Sequence, residues 1–359
     1  MPPTVITHLD QVTTEWLTRV LVQSDALTDG AVAAFEATAD RGNWSANARL
    51  RLRYSPDAQG ARPGRLFLKL VNADLGDDEF FGPSEVTYYT RDYVDVEGAP
   101  LIRCYDAAFS EAQRRYHLLL DDLSDTHVPA GEKAPTLDYG LALAEGLAAL
   151  HARWWGAARL AQAGAALHSA AHIRRFVDIA EPGVGHILPR FPAELKPHWP
   201  DLLRTLFAGH PQALVARTRH DAGFTLIHGD AGPGNILVPR AGDRPLYLID
   251  RQPFDWSLTV WLGVYDLAYA LVLDWEAAAR RRWEQPILRH YHAHLIRRGV
   301  TGYAWERLWD DYRLCAAMGV YVAVEYCRGG VNERWVSAWL PMLQRALTAC
   351  DDLEAGALW

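Results

Sequence analysis

The stretch FTLIHGDAGPGNILVP, residues 224–239, places a short polar loop between two apolar runs. Leu226-Ile227 stops at His228-Gly229-Asp230, Asn235 follows five residues after Asp230, and Ile236-Leu237-Val238 restores the apolar pattern. Short apolar runs bounded by turn residues read as buried strands. Asp, Asn and Gly also gather in ordinary turns, because they tolerate left-handed backbone and bond nearby amides. The setting is what makes this loop unusual, since a carboxylate between apolar strands is costly without a partner. A second carboxylate, Asp250, ends the run LYLID. The intervening PRAGDRP reads as a turn that folds LYLI back on ILV, which predicts that Asp250 comes close to Asn235 with Asp230 at the mouth of the pair.

Two carboxylates and an amide oxygen are hard donors of the kind that suits Mg²⁺, which keeps some waters and shares phosphate oxygens. Asp230 is then the group to accept a proton from an attacking hydroxyl. That division of labour is the one used in kinase-type phosphoryl transfer.

Of 36 basic residues only Lys69, Lys133 and Lys196 are lysines. Lys69 alone lies inside a strand pattern, RLFLKLV, and Glu85 follows it by sixteen residues. One reading of such a lysine is a packed stem with its ammonium in water. The other is a compact point charge kept for phosphate where this chain otherwise uses arginine.

The rest of the chain bounds the problem. It has 359 residues, 50% hydrophobic and 22% charged, a globular composition long enough for two lobes. A net charge of −8 lacks the footprint of a nucleic-acid binder. The start, MPPTVITHLDQV, has no signal-peptide pattern, and no run of apolar residues is long enough to span a membrane. Cys104, Cys315, Cys327 and Cys350 are scattered, as reduced thiols in a cytoplasm would be.

Along the chain, residues 9–37 carry helical spacing through Leu9, Val12, Trp16 and Val20. In RLRLRYS (49–55), Arg49, Arg51 and Arg53 alternate with Leu50, Leu52 and Tyr54, as in a half-buried strand. A helix is expected from Pro83, with Glu85, Val86, Tyr89 and Tyr93 on it, and further strands in LIRCYDAAF and RYHLLLDDL. From Thr136, a candidate cap, the chain turns helical, and residues 262–353 read as three or four helices.

The motifs together resemble the aminoglycoside phosphotransferase and choline kinase superfamily. HGDAGPGN is similar to its HGDxxxxN catalytic loop, LYLIDRQ to its metal-binding strand end, and GVYDLAYAL to its G…DLA segment. LAEGLAALHARWW resembles its A…LHA helix and HLLLDDLSD its hinge, with the ecdysteroid-kinase-like branch nearest in flavour. The resemblance implies an α+β, bilobal, protein-kinase-like fold. Residues 1–120 would form a small antiparallel-sheet lobe and 121–359 a larger, mostly helical one. It implies Asp230 as catalytic base, Asn235 and Asp250 as Mg²⁺ ligands, and Lys69 and Glu85 at the phosphates of ATP or GTP. Leu120, Asp121 and Leu123 would meet the nucleotide base, and backbone near Asn43 and Ser45 would cover the phosphates, although GNWSANA is not GxGxxG. His228 and Asp266 would support the catalytic loop.

The expected activity is transfer of the γ-phosphate to a hydroxyl of a small molecule by a cytoplasmic monomer or homodimer, with no nucleic-acid or membrane partner. A nucleotide-binding pseudokinase or other non-catalytic binding protein is the alternative. A metal-dependent hydrolase using His228 and Asp230 would want a second ligand pair, and none stands out. On the acceptor side Arg251 and Trp256 flank the metal-binding strand end. In the helix AWERLWDDYRLCAAMGVYVAVEYC, one stripe holds Asp311, Tyr321 and Glu325. Aromatic faces with acids suit a cationic acceptor, while a buried ion pair to an arginine explains the same acids.

Overall fold

The computed structural model describes residues 4–42, 44–76 and 79–359. Helix α1 (Thr14–Gln23) starts where the Thr13 hydroxyl accepts the Trp16 amide at 3.1 Å. Its buried face, Trp16, Leu17, Val20 and Leu21, packs on Leu50, Leu66 and Leu68 of a sheet. Each such aliphatic side chain contributes about 1.5–3 kcal/mol by leaving water.

The helical spacing expected to reach residue 37 ends at Gln23, and Val32–Arg41 is strand β1 instead. Its Ala- and Glu-containing sequence favours helix weakly, and nine cross-strand pairs with β2 (Ser45–Tyr54) override that preference. Strand β2 alternates as expected, with Leu50 and Leu52 buried and Arg49, Arg51 and Arg53 exposed. Strand β3 is Arg65–Asn72, and the short β4 (Asp74–Gly76) and β5 (Glu79–Phe80) pair with each other. Pro83 caps α2 (Ser84–Thr87), which runs straight into a π-helical turn at Tyr88–Asp92. Strands β6 (Cys104–Ser110) and β7 (Arg115–Asp121) complete an antiparallel sheet of order β1-β2-β3-β7-β6.

After β8 (His127–Pro129) the chain is mostly helical: α3 (Leu137–Arg153), α4 (Ala157–Gln162), α5 (Ala170–Asp178), α6 (Pro182–Ile187) and α7 (Trp199–Arg217). Thr136 caps α3, accepting the Tyr139 amide at 3.2 Å. Strand β9 (Phe224–Leu226) leads into the polar loop, followed by β10 (Ile236–Pro239), β11 (Tyr247–Leu248) and β12 (Val260–Leu262), which pairs with β9. Helices α8 (Val264–Leu273), α9 (Ala277–Arg297), α10 (Trp305–Glu325) and α11 (Val336–Asp352) follow.

The backbone forms two compact units, and their boundary is interleaved where a single cut at residue 120 was expected. Residues 1–95, 101–128 and 239–255 form the first unit, and 96–100, 129–238 and 256–359 the second. The segment carrying Asp250 thus belongs with the sheet. In the second unit α3 and α9 approach closely at Gly140, where a Cβ atom would lie 2.3 Å from Ile287 Cδ1. No helix among the described residues is long and apolar enough to cross a membrane.

Candidate active site

In the first unit, strand alternation puts Leu68 and Leu70 into the core and turns Lys69 to the other face, with 12% of its side chain exposed. Its Nζ donates to Glu85 Oε1 and Oε2 at 2.7 and 2.9 Å and to Asp250 Oδ1 at 2.8 Å. Glu85, on α2, is 2% exposed and also accepts the Tyr116 hydroxyl at 2.6 Å. Burial pulls the ammonium pKa of Lys69 down, but Glu85 and Asp250 outweigh it and hold the pKa above its ordinary value. Burial pushes the Glu85 carboxyl up to about 6 against the opposing pull of Lys69. A cation between two carboxylates is therefore built in.

Asp250 sits at φ 59°, a left-handed conformation that Asp tolerates better than most residues, with 46% of its side chain exposed. Arg251, next along the chain, turns inward. It is 3% exposed, donates to Asp92 Oδ2 at 2.6 Å, and lies over the Tyr88 and Tyr93 rings. Arg251, expected to flank the acceptor, braces the Asp250 segment against the π-helical turn.

In the second unit the Asp230 carboxylate is half-buried and held from both sides. Tyr269 Oη donates to Oδ1 at 2.7 Å, and Asn235 Nδ2 donates to Oδ2 at 2.9 Å and to the Asp230 carbonyl at 2.9 Å. Burial, then the Asp230 charge, lifts the Tyr269 pKa well above 10, so Tyr269 stays a donor. Asp266 is fully buried and accepts the His228 and Gly229 amides at 2.7 and 2.8 Å and His151 Nε2 at 3.0 Å. Burial opposes its ionisation, yet the His151 hydrogen bond and the neighbouring His151 and His228 hold its pKa below the ordinary value. His151 Nδ1 faces Tyr291 Oη at 2.8 Å, so a tautomer protonated at Nε2 satisfies both neighbours. A Cβ at Gly263 would lie 2.6 Å from that hydroxyl, so this chain of contacts needs the glycine. Asp266 fixes the backbone on which Asp230 is mounted; His228 is 1% exposed and packed inside the loop.

Other expected residues fall as follows. Ser45 opens β2 opposite Val71, whereas Asn43 lies outside the described residues. Leu120 is buried in β7, the Asp121 amide donates to Arg103, and the Leu123 carbonyl accepts the Thr126 and His127 amides. Trp256 is 6% exposed beside Phe176. Two residues of α10 expected on the acceptor side have internal partners. Asp311, 1% exposed, pairs with Arg217 at 2.6 and 2.7 Å and accepts the Tyr303 hydroxyl at 2.8 Å. Tyr321, 1% exposed, bonds His210 Nδ1 at 2.7 Å. Both are core residues whose polar atoms are satisfied internally, as the ion-pair reading had it for the acid. Glu325, at the end of the helix, is half-buried and pairs with Arg328 at 3.2 Å.

The sequence reading missed Tyr269, His151, Tyr291, Tyr116 and Tyr326. Tyr269 stands one helical turn after Asp266, and His151 is a lone polar residue in an apolar run, so spacing carried a signal for both. Tyr326 is 40% exposed, and the charges of Asp230 and Glu325 add to burial in raising its pKa.

Each unit by itself offers an oxygen donor of the kind that suits a hard divalent cation. The Lys69 bond uses one of the roughly four acceptor positions of the Asp250 carboxylate, and Asn235 spends its nitrogen on Asp230, which leaves it only an oxygen to offer.

No family model matches this sequence, and no characterised protein sequence matches it either. Solved structures are similar to it in three dimensions. The GDP complex of aminoglycoside 2'-phosphotransferase-IIIa superimposes with a TM-score of 0.53 at 15% identity, covering 94% of this chain and 98% of that one. Choline kinase from Cryptosporidium parvum does so at 0.52 and 9% identity, covering 90% and 89%. Glucosamine kinase in complex with glucosamine, ADP and inorganic phosphate does so at 0.51 and 13%, covering 93% and 98%. The chain has the α+β, kinase-like fold that these small-molecule kinases share.

Proposed function

We propose that the protein is a phosphotransferase that moves the γ-phosphoryl group of ATP or GTP to a hydroxyl of a small molecule. One observation carries this reading: Asp230 is a half-buried carboxylate fixed by two donors, on a loop whose amides are pinned by a fully buried aspartate. A carboxylate held in this way is suited to orient an acceptor hydroxyl and take its proton. As the acceptor oxygen bonds to phosphorus, the proton passes to an Asp230 oxygen and the bond to the β-phosphate oxygen breaks, releasing the nucleoside diphosphate. Lys69, kept cationic by Glu85 and Asp250, neutralises phosphate charge. Magnesium, with Asp250 and Asn235 as oxygen ligands, would offset the remaining charge on the phosphates. The nucleotides in the similar structures support a nucleotide co-substrate.

The test is a ³¹P or coupled ADP-release screen with ATP and GTP over aminoglycosides, macrolides, amino alcohols, sugars and sterol-like alcohols. Acceptor-dependent turnover that Asp230→Asn abolishes is the expected result. Nucleotide binding without turnover on any acceptor would establish the non-catalytic reading in its place. Asp250→Ala should weaken Mg²⁺-nucleotide binding more than Asn235→Ala does, because a charged ligand is lost; equal calorimetric affinity in all three proteins would remove Asp250 as a ligand.

A further inference from the structure

We propose that Glu145, His290 and His294 form a transition-metal site, of the class that takes Zn²⁺ or Ni²⁺, which clamps α3 to α9. His290 and His294 stand four apart on α9, so they share one face, and their rings lie 4.3 Å apart at 44°. Glu145 reaches them from α3. Its Oε2 lies 3.9 Å from His290 Nε2 and 3.8 Å from His294 Nε2, and the three ligand atoms all fall within 4.8 Å of one another. These separations are too long for hydrogen bonds. In a tetrahedral site with bonds of about 2.0–2.1 Å, neighbouring ligand atoms stand roughly 3.3–3.5 Å apart, so Glu145 closes on each histidine with a shift of about half an ångström.

The chemistry selects the ion. Two imidazoles with one carboxylate suit zinc, nickel or copper, whereas Mg²⁺ prefers oxygen throughout. The site is open to solvent on one side, with Glu145 54%, His290 31% and His294 13% exposed, so an ion can enter and keep a water. An imidazole must be neutral to bind a metal. His292, between the two histidines, is engaged elsewhere with the Tyr303 carbonyl at 2.6 Å.

The frame is rigid enough to hold a guest. The two helices meet closely at Gly140, and the contact of His151 with Tyr291 ties them together at the position next to His290. A bound ion would add a cross-link to the helix pair that positions Asp266. This inference does not depend on the proposed phosphotransfer.

The test uses the full chain, stripped with a chelator and held in excess Mg²⁺ so that hard oxygen sites are filled. Zinc chloride is titrated by calorimetry, and thermal unfolding is followed at rising zinc. The wild type should bind one equivalent in the micromolar range, with an unfolding midpoint that climbs with zinc. His290→Ala and His294→Ala should each lower affinity at least about tenfold, no less than the loss of an outer-sphere partner. Glu145→Gln, nearly isosteric, guards against loss of fold and should also weaken binding. Unchanged zinc affinity in the two histidine variants, or no stoichiometric binding by the wild type, would overturn the site.

Discussion

The two units hold their polar residues by different means. In the first, charge is set against charge: Lys69 is shared between Glu85 and Asp250, and Arg251 is buried against Asp92. In the second, the buried Asp266 is met by two backbone amides and an imidazole, and Asp230 by a phenol and an amide. A charge network balances only when every member is present, because a buried ion without its partner is expensive. A hydrogen-bonded frame depends on direction and distance more than on net charge. The first arrangement keeps a cation in place between two acids. The second suits a loop that must hold one carboxylate still.

The sharpest break in this contrast comes at Asp230, which the second unit positions. Asp230→Asn keeps the shape and removes the proposed base, so kcat should fall about 10²–10⁴-fold while the thermal midpoint stays put. A midpoint that fell with activity would make Asp230 part of the frame. Asp266→Ala should show the reverse emphasis, since it orphans two amides and His151. We expect a loss of about 3 kcal/mol in urea unfolding, with activity following stability; a cost under about 1 kcal/mol would mean that water replaces the carboxylate.

In the first unit, Lys69→Arg separates charge from shape. Arg keeps the positive charge but is longer, planar and forked. If a compact ammonium is required, kcat/KM for nucleotide falls at least about tenfold, roughly 1.4 kcal/mol, in a stable protein. Full activity would mean that the first unit needs only the charge.

The smallest expected effect concerns His210, buried in the second unit between Tyr321 and the Leu314 carbonyl. Burial lowers its pKa to about 3, against an ordinary value of 6.5. Between those values the unfolded chain binds a proton that the folded chain refuses. The His210 contribution is therefore intact above pH 6.5 and lost as pH falls, by about 1 kcal/mol per pH unit. His210→Gln should flatten that slope in urea titrations from pH 7 to 5; an unchanged slope would assign the loss to other groups.

Some of this was legible before any coordinates. The alternation in RLRLRYS, the Thr136 cap and the lone strand lysine with its glutamate sixteen residues on all appear as read. Each rests on a local rule in which neighbouring residues decide the outcome. Strand β1 was not legible, because its Ala-containing sequence has no strong local preference and β2 supplies the deciding bonds. The polar groups of α10 were ambiguous for a related reason. A helix apolar on most sides does not reveal which partner waits for its acid, and Arg217 lies 94 residues from Asp311 along the chain.

By itself, then, the sequence determined the periodicities, the polar loop between apolar runs, and the inventory of acids, amides and scarce lysines. These follow from covalent order, side-chain chemistry and nearest-neighbour sterics. Only the tertiary structure decided that Asp250 faces outward while Arg251 turns in to Asp92. It alone decided that Tyr269 steadies Asp230, that His151 and Tyr291 stand behind Asp266, and that Asp311 and Tyr321 belong to the core. The physical reason is that burying a polar group is affordable only when a partner arrives, and these partners come from segments distant in the chain.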